Sequence, residues 1–548
     1  MPKYTPCRVE AVASQTLVGA KVSAKQTVYY FIGGFFVEQV NAIELKHVTK
    51  RFGEVTANDN VNLTLKTGEI LSILGENGSG KTTLMNMLSG IYFPDEGEIR
   101  INGNAVTIRS PKDSFSLGIG MIHQHFKLIN ILTAAENIIL GLPGEKKIKM
   151  PQVVEEINAL TGKYGFDLNP MQKIYDMSVS QKQTVEIIKV LYRGADILIL
   201  DEPTAVLTPH ETTKLFQVLR NMKEDGKSII IITHKLNEVL DLSDRVSVLR
   251  KGKYISTVET KNATVESLTE MMVGEKVSLD INRTEPANQK KRIEVCNINC
   301  RNKEGLPVLT DASFIAYSGE ILGVAGISGS GQKELLESIA GLQKLESGEI
   351  LYHAPEGTTE DLTKLSADVI KEKGVRLAFV PEDRLGMGLV GSMDLTDNMM
   401  IRSYKDGRSF LVDRKKPRKL ASKIVEQLKV VTPKLETPVR RLSGGNVQKV
   451  LVGREIALNP TVLMVAYPVR GLDINSSYTI YNLLNDEKKK GHAVICVIED
   501  LDVLLELCDR IIVLNSGKIT GVVDARSTNK EELGWLMTGT GEEKHKDE

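Results

Sequence analysis

The sequence predicts an α/β protein in which two similar domains, each with a mixed but mostly parallel sheet, follow one another. Short and almost uninterrupted apolar runs alternate with helical patterns, as expected of strands that are buried on both faces. Examples in the first half are Ile70–Leu74, 197–200 and 229–233. The chain also repeats its own motifs, and in both repeats a glycine-rich loop follows an apolar run.

Composition excludes several classes of protein. The 548 residues are 41% hydrophobic and 26% charged, enough to bury a large core, so disordered and collagen-like classes are excluded. The 70 Lys and Arg balance the 70 Asp and Glu, so no overall basic field favours nucleic acid as a partner. Five cysteines in so long a chain form no disulfide framework. No run reaches the roughly 18 apolar residues of a membrane span.

The internal repeat fixes the expected domain organisation. Residues 68–91 are echoed by residues 319–342, and residues 178–191 by residues 443–456. We therefore predict two domains joined by a polar, unstructured linker. The predicted segments are an extension (1–40), the first domain (41–278, the "first copy"), the linker (279–291), the second domain (292–540, the "second copy") and a charged tail (541–548).

The extension fits poorly with the rest of the chain. Its apolar run at 28–37 is too short to span a bilayer, and no small-residue cleavage site follows closely. One interpretation is an arm without fixed structure. The alternative is that translation starts at Val37 or Val40, so that the preceding segment is misassigned.

The first copy carries a complete phosphate-binding loop. The segment GENGSGKT fits G-x-x-x-x-G-K-[ST], lies after a strand and opens a helix. Its backbone N–H groups can curl round a phosphate, Lys81 would reach the β- and γ-phosphates, and the Thr82 hydroxyl would bind Mg²⁺. The predicted ATP-binding residues here are Gly75, Glu76, Asn77, Gly78, Ser79, Gly80, Lys81, Thr82 and Thr83.

A pair of acids strengthens this interpretation. Asp201 and Glu202 end the buried run ILIL, where Asp201 can hold hydrated Mg²⁺ and Glu202 can polarise an attacking water. Gln124 follows another apolar run and would sense the metal. His234 follows the strand IIIIT and would contact the γ-phosphate. Singly, each of the last two is more often structural, and their order along the chain gives them weight.

These residues resemble the ATP-binding-cassette (ABC) superfamily, over about residues 42–540. The most specific motif is LSGGN at 442–446, which resembles the family signature that precedes a helix. The resemblance implies two P-loop NTPase domains, each with a helical subdomain, that close head to tail. ATP would then lie between the loop of one copy and Ser443, Gly444 and Gly445 of the other, with Phe52 stacked on adenine.

The two copies are unequally equipped. In the second copy, Gln332 replaces the loop lysine, Lys333 stands where the metal-binding hydroxyl belongs, and Ala466 and Tyr467 replace the acids. Glu382 and Glu499 likewise replace the glutamine and the histidine. In the first copy, the signature reads MSVSQ at 177–181 and lacks both glycines, so that the Val179 side chain should obstruct a phosphate. Head-to-tail pairing would place all these defects in one site and leave the other intact.

The tandem order, with VPEDR at 380–384, resembles the ATPase subunits of sugar-type importers. The nucleoside branch, which works with substrate-binding lipoproteins, is most similar, and the ribose, galactose and xylose branch is next. The resemblance implies an ATP- and Mg²⁺-dependent ATPase on the cytoplasmic face of the membrane. It would dock on two permease subunits and touch neither the cargo nor nucleic acid. The alternatives are soluble tandem cassettes that act on ribosomes or on DNA.

Overall fold

The computed structural model describes residues 29–32, 35–38, 41–124, 126–142, 149–205, 207–275, 281, 283–286, 289–302, 304–404 and 412–539. The predictions about residues 1–28, about a start at Val40 and about the charged tail 541–548 concern residues outside this set. In the extension, β1 (Tyr29–Ile32) and β2 (Phe35–Glu38) pair as an antiparallel hairpin. Contacts divide the chain into two compact units, one up to Pro203 with Leu215–Met272, the other Thr204–Lys214 with the chain from Val273 onwards.

The first copy contains a six-stranded sheet and a four-stranded sheet. Its strands are β3 (Asn41–Phe52), β4 (Val55–Lys66), β5 (Ile70–Leu74), β6 (Glu96–Ile101), β7 (Asn104–Val106), β8 (Ile119–Ile122), β9 (Ile197–Asp201), β10 (Ser228–Ile232), β11 (Arg245–Arg250) and β12 (Lys253–Glu259). The large sheet has the order β12-β11-β5-β10-β9-β8, in which only β12 is antiparallel to its neighbour. The small sheet, β4-β3-β6-β7, is antiparallel throughout.

Helices flank this sheet and build a separate group. They are α1 (Lys81–Leu88), α2 (Pro111–Ser116), α3 (Ala134–Ile139), α4 (Met150–Tyr164), α5 (Val179–Tyr192), α6 (Pro209–Glu224), α7 (Leu236–Leu242) and α8 (Val265–Val273). The strands β5, β9 and β10 are buried at every position, as their continuous apolar runs predict. Between β8 and β9, α3, α4 and α5 pack against one another and form the helical subdomain that the resemblance implied.

The second copy repeats this architecture. Its strands are β13 (Lys291–Arg301), β14 (Pro307–Tyr317), β15 (Ile321–Gly326), β16 (Leu345–His353), β17 (Thr359–Asp361), β18 (Leu377–Val380), β19 (Val462–Ala466), β20 (Ala493–Val497), β21 (Arg510–Asn515) and β22 (Lys518–Asp524). Its helices are α9 (Gln332–Ile339), α10 (Ala367–Glu372), α11 (Leu395–Met400), α12 (Lys415–Gln427), α13 (Gly444–Ile456), α14 (Ile474–Lys489), α15 (Leu501–Leu507) and α16 (Lys530–Thr538). The sheet orders, β18-β19-β20-β15-β21-β22 and β14-β13-β16-β17, match those of the first copy. The predicted α/β class is confirmed.

The linker is fixed in a way that its composition did not predict. The described part of 281–290 contains no helix or strand, as expected, but it is bound to the second unit by hydrogen bonds. Arg283 donates to the carbonyl oxygens of Leu505 and Cys508 at the end of α15, and buried Lys488 donates to the Thr284 carbonyl. The described linker residues thus have no helix or strand, yet hydrogen bonds hold them to the second unit.

Hydropathy along the helices agrees with the absence of long apolar runs. Within the described ranges, no helix has the length and apolar character needed to cross a bilayer.

Candidate functional site

The glycine-rich loop of the first copy leads from β5 into α1. Gly80 caps α1 with φ +95°, and a Cβ there would lie 2.4 Å from the Ala57 carbonyl oxygen, so only glycine fits. The buried hydroxyl of Ser79 has no hydrogen-bond partner. A narrow turn of backbone, with an unsatisfied hydroxyl inside it and a helix N-terminus behind it, fits a phosphate group.

Lys81 lies where the loop meets its helix. Its side chain is only 6% exposed, and its Nζ donates to the carbonyl oxygens of Gly75 and Glu76 at 2.6 and 3.0 Å. Burial lowers the Lys81 pKa, while the nearby charges of Glu202 and Asp201 oppose that shift. The site therefore holds a largely desolvated cation, which can bind phosphate oxygens, beside two acids, which can bind a metal ion.

The parallel sheet brings the two acids to one edge. β9 ends at Asp201, which pairs in register with Ile232 at the end of β10. Glu202 leaves the strand with φ +48° and donates its N–H to the Ile232 carbonyl at 2.8 Å. This non-glycine residue is thus held in the left-handed region by a backbone bond, and such strain is common at functional sites.

Gln124 and His234 converge on Glu202. The Gln124 amide donates to Glu202 Oε2 at 2.8 Å, and His234 Nδ1 lies 3.0 Å from Glu202 Oε1. The hydrogen bond with His234 is the main cause that lowers the Glu202 pKa. Glu202 is therefore an ionised carboxylate that is held on both oxygens, and the structure brings together all three residues predicted to be catalytic. Their catalytic roles stay predictions.

The oxygen ligands expected for a magnesium ion also lie together. Asp201 is 9% exposed; its burial, followed by the charge of Glu202, raises its pKa to about 6. Lys81 and a hydrogen bond with Thr82 act in the opposite direction. Because the Gln124 amide nitrogen faces Glu202, its amide oxygen is left for a metal. A carboxylate, a hydroxyl and an amide oxygen are donors that Mg²⁺ accepts, so the residues present fit this ion.

The aromatic residue expected under adenine is accessible. Phe52, at the end of β3, is 44% exposed, and its ring meets that of Tyr92 edge to face with centroids 5.1 Å apart. Lys50 Nζ lies 5.4 Å from the Phe52 centroid. The exposed face can accept a stacked base, and the tyrosine supports it.

The loop of the second copy keeps its shape and loses its charge. Gly329 and Gly331 have φ values of +87° and +102°, close to the +80° and +95° of their counterparts Gly78 and Gly80. Gln332 is 2% exposed, and its amide donates to the Ile327 carbonyl at 2.9 Å, much as Lys81 does in the first copy. The neutral amide thus preserves the turn but supplies no cation.

In the second copy, neither Lys333 nor the residues that replace the two acids can supply the missing cation or metal ligands. Lys333 is half exposed and lies 3.8 Å from Glu337 on its own helix, as expected of a side chain one position further round. At the strand end, Ala466 is buried, and burial raises the Tyr467 pKa to about 12. Neither residue offers a carboxylate to a metal.

The two signature helices begin differently. Ser178 caps α5 in a reciprocal capping box with Gln181, so that the side chains satisfy the first backbone donors. Ser443 precedes α13 without any side-chain cap, and its hydroxyl instead accepts from Asn446 at 2.8 Å. The capping box thus occupies the Gln181 N–H at the start of α5, whereas no side-chain cap occupies a backbone N–H at the start of α13.

The sequence analysis missed one residue that contacts the phosphate-binding loop of the first copy. Asn58 on β4 is fully buried and donates to the Gly80 carbonyl at 3.2 Å, while its Oδ1 has no partner. The alternation of the strand did not indicate it: Val61, Leu63 and Leu65 are buried in alternation, and a shift of register between Val61 and Asn58 turns Asn58 inward.

Fold and site together define a class of protein, one with two P-loop nucleotide-binding domains in tandem. The profile described as "ABC transporter" matches residues 58–205 and 309–468, which is more than half of the chain. The chain belongs to the ABC transporter family.

Curated relatives match over nearly their full length. The Nucleoside import ATP-binding protein NupA of Lactococcus lactis subsp. cremoris is 43% identical over 91% of this chain and 98% of its own. The Guanosine import ATP-binding protein NupO of Bacillus subtilis is 40% identical over 91% and 97%. The Ribose import ATP-binding protein RbsA of Corynebacterium glutamicum is 34% identical over 90% and 92%. The predicted family, including its order of branches, is confirmed.

Proposed function

We propose that this chain hydrolyses ATP at its first loop to drive nucleoside import through a membrane permease. The chain is the ATP-binding subunit of an ABC importer, a transport-coupled ATPase, and the relatives support this function over the ribosome- and DNA-acting alternatives. The observation that carries the proposal for the site is the convergence of Gln124 and His234 on Glu202 beside the buried Lys81.

The residues divide the reaction as follows. Glu202 accepts a proton from the attacking water, whose oxygen bonds to the γ-phosphorus as the bond to the leaving ADP oxygen breaks. His234 and Gln124 orient the Glu202 carboxylate, and Lys81 stabilises negative charge on the phosphates. Thr82, Asp201 and the Gln124 amide oxygen would hold Mg²⁺, which when bound neutralises the phosphate oxygens. Phe52 would stack on adenine.

We further propose one catalytic and one non-hydrolysing site. The catalytic site would combine the loop and acids of the first copy with Ser443, Gly444 and Gly445 of the second. The uncapped N-terminus of α13 supports this, because its N–H groups can donate hydrogen bonds to a γ-phosphate, whereas the capping box of α5 already occupies the Gln181 N–H. The second loop would at most bind nucleotide through its backbone.

The relatives' names support a proposal for the cargo and the partners. Two of the relatives with the highest identity import nucleosides or guanosine, which favours nucleosides; the ribose importer keeps simple sugars as the second candidate. We propose that the chain docks on two permease subunits at the cytoplasmic face of the membrane, and that a substrate-binding lipoprotein outside delivers the cargo. We also propose that residues 41–278 and 292–540 form the two ATP-binding cassettes and that residues 279–291 link them.

Replacement of the base tests the catalytic site. Glu202→Gln keeps the shape of the side chain but removes the proton acceptor, so we expect ATP hydrolysis to fall by about 1000-fold while ATP still binds. The measurement is phosphate release by the full-length chain with Mg²⁺, together with ATP titration. Glu224→Gln, on the exposed end of α6, is the matched control. Substantial hydrolysis by Glu202→Gln would show that another residue is the base.

Uptake tests the cargo. Cells that lack this chain, complemented with wild type or with Glu202→Gln, are given labelled nucleosides, ribose and galactose. We expect only wild type to restore nucleoside uptake. Restoration of sugar uptake alone would replace the nucleoside assignment, and no change in any uptake would contradict transport.

A further inference from the structure

In the second copy, a guanidinium group lies among the residues that replace Gln124, Glu202 and His234; we call this group of residues the rebuilt corner. Arg470 forms an ion pair with Glu382, and its Nε lies 3.5 Å from Glu499 Oε1. Its guanidinium also lies over the Tyr467 ring, 5.7 Å from the centroid. One side chain thus joins the residues that stand at the places of Gln124, His234 and Glu202 in the first copy.

The charges that these replacements introduce pair with one another. Carboxylates, Glu382 and Glu499, replace Gln124 and His234 of the first copy. A cation, Arg470, replaces Ala205. The Arg470, Glu382 and Glu499 side chains are 51%, 37% and 47% exposed, so each ion pair contributes little stability, but together they give the guanidinium fixed partners. The satisfied set indicates that this corner has a structural task of its own.

The corner is linked to the signature of the same copy. Arg384 donates a hydrogen bond to the Arg470 carbonyl oxygen. The Arg384 Nη1 lies 3.4 Å from the position that a Cβ on Gly444 would take, so the guanidinium lies directly beside the signature glycine. Burial, followed by the charge of Arg470, lowers the Arg384 pKa.

The segment that follows Arg470 supports the next signature residue. A Cβ on Gly445 would lie 2.9 Å from Ser476 Oγ and 3.2 Å from Asp473 Oδ2. Asp473 caps α14 through the N–H of Ser476 at 2.7 Å. Residues 470–473 therefore support Gly444, through Arg384, and Gly445 directly.

The first copy lacks this support where its signature is also altered. Phe126 stands at the place of Arg384, and Val179 stands at the place of Gly444. Arginine beside glycine in one copy thus corresponds to two apolar residues in the other. The support occurs only beside the signature that keeps its glycines.

We propose that Arg470 and Arg384 are positioning residues, which use the rebuilt corner of the second copy to hold its signature for ATP hydrolysis at the first loop. The inference rests on the proposed composite site. Glu382 and Glu499 fix the Arg470 guanidinium, the Arg470 carbonyl fixes Arg384, and Arg384 fixes the start of α13. Residues of the second copy that replace catalytic groups would thus position the signature that completes the catalytic site at the first loop.

Substitution of each arginine tests this chain of contacts in the full-length protein. Arg470→Met and Arg384→Met should each lower kcat for ATP hydrolysis by about tenfold, since a displaced donor stabilises the transition state poorly. KM for ATP should stay within about twofold, because the loop of the first copy is untouched. Because both residues act through one path, the double variant should be about as slow as the slower single variant.

Two controls make the result specific. Lys373→Met removes an exposed ion pair with Glu360 elsewhere in the second copy and should leave kcat unchanged. Arg470→Lys, which keeps the charge but cannot bridge two carboxylates and stack on Tyr467, should recover part of the rate. Thermal unfolding of every variant identifies any loss that comes from misfolding.

The outcomes separate this inference from the proposed function. Wild-type kcat in both single variants, fully additive losses in the double variant, or a rise in KM at unchanged kcat would each overturn the positioning role. If Glu202→Gln abolishes hydrolysis in parallel assays, the proposed function stands even when the positioning role fails. If Glu202→Gln stays active, the proposed function itself fails.

Discussion

At the residue scale, the two loops separate geometry from charge. Lys81 and Gln332 occupy the same place, and both donate to a carbonyl oxygen of their own loop. The turn thus forms with or without a cation, because its shape depends on glycines with positive φ. The lysine charge is therefore left for the phosphates.

A reciprocal exchange of these residues tests this view. Lys81→Gln should fold with a melting temperature close to wild type, since the second copy shows that an amide satisfies the loop, yet its ATP hydrolysis should fall by about 100-fold or more. Gln332→Lys should add no activity, because Ala466 and Tyr467 still provide no acid. Phosphate release and thermal unfolding measure both variants. A gain in rate from Gln332→Lys alone would contradict the assignment of a non-hydrolysing second site.

At the element scale, the start of a helix distinguishes the signatures. A reciprocal capping box closes α5, whereas α13 begins with two glycines and no side-chain cap. Glycine is needed at position 445 because a side chain would press on the N-terminus of α14. The same element of the fold thus begins with a side-chain cap in one copy and without one in the other, as the proposed binding of a γ-phosphate at α13 requires.

A methyl group on the signature should therefore be harmful in one copy only. Gly445→Ala places a Cβ 2.9 Å from Ser476 Oγ, so α13 and α14 must separate slightly; we expect kcat to fall by about tenfold. Ser180 stands at the equivalent position of the first copy and already has a Cβ, so Ser180→Ala should leave kcat unchanged. The measurement is steady-state ATP hydrolysis, and equal losses in both variants would contradict the assigned roles of the signatures.

At the scale of the whole molecule, the linker belongs to the second unit. Arg283 donates to two carbonyl oxygens at the end of α15, and Arg526 joins Glu285 to buried Asp509. Positive side chains at the carboxyl end of a helix satisfy acceptors that have no partner within the helix. The second unit thus begins before its first strand.

Removal of this attachment should lower stability without touching either loop. Arg283→Ala leaves two carbonyl oxygens of α15 without their donor, and we expect a loss of about 1–3 kcal/mol in the free energy of unfolding. Chemical denaturation measures it, with the exposed Lys364→Ala as control. An unchanged unfolding midpoint would show that the linker contacts contribute nothing.

Local patterns in the amino-acid sequence were enough to predict the fold class, the tandem order and the phosphate-binding loop of the first copy. These depend on local patterns: Ile70–Leu74 was predicted with its exact bounds, while 197–200 and 229–233 differ by one residue at their ends. Hydropathy and glycine spacing carry such information, because they reflect burial and backbone freedom at each position.

Only the tertiary structure decided which side chains meet. Gln124, Glu202 and His234 follow three different strands, and only the parallel register of the sheet brings them to one carboxylate. Likewise, nothing in their spacing showed that Arg470 would bridge Glu382 and Glu499. Contacts between distant segments depend on how whole strands and helices pack, and local sequence patterns do not specify that packing.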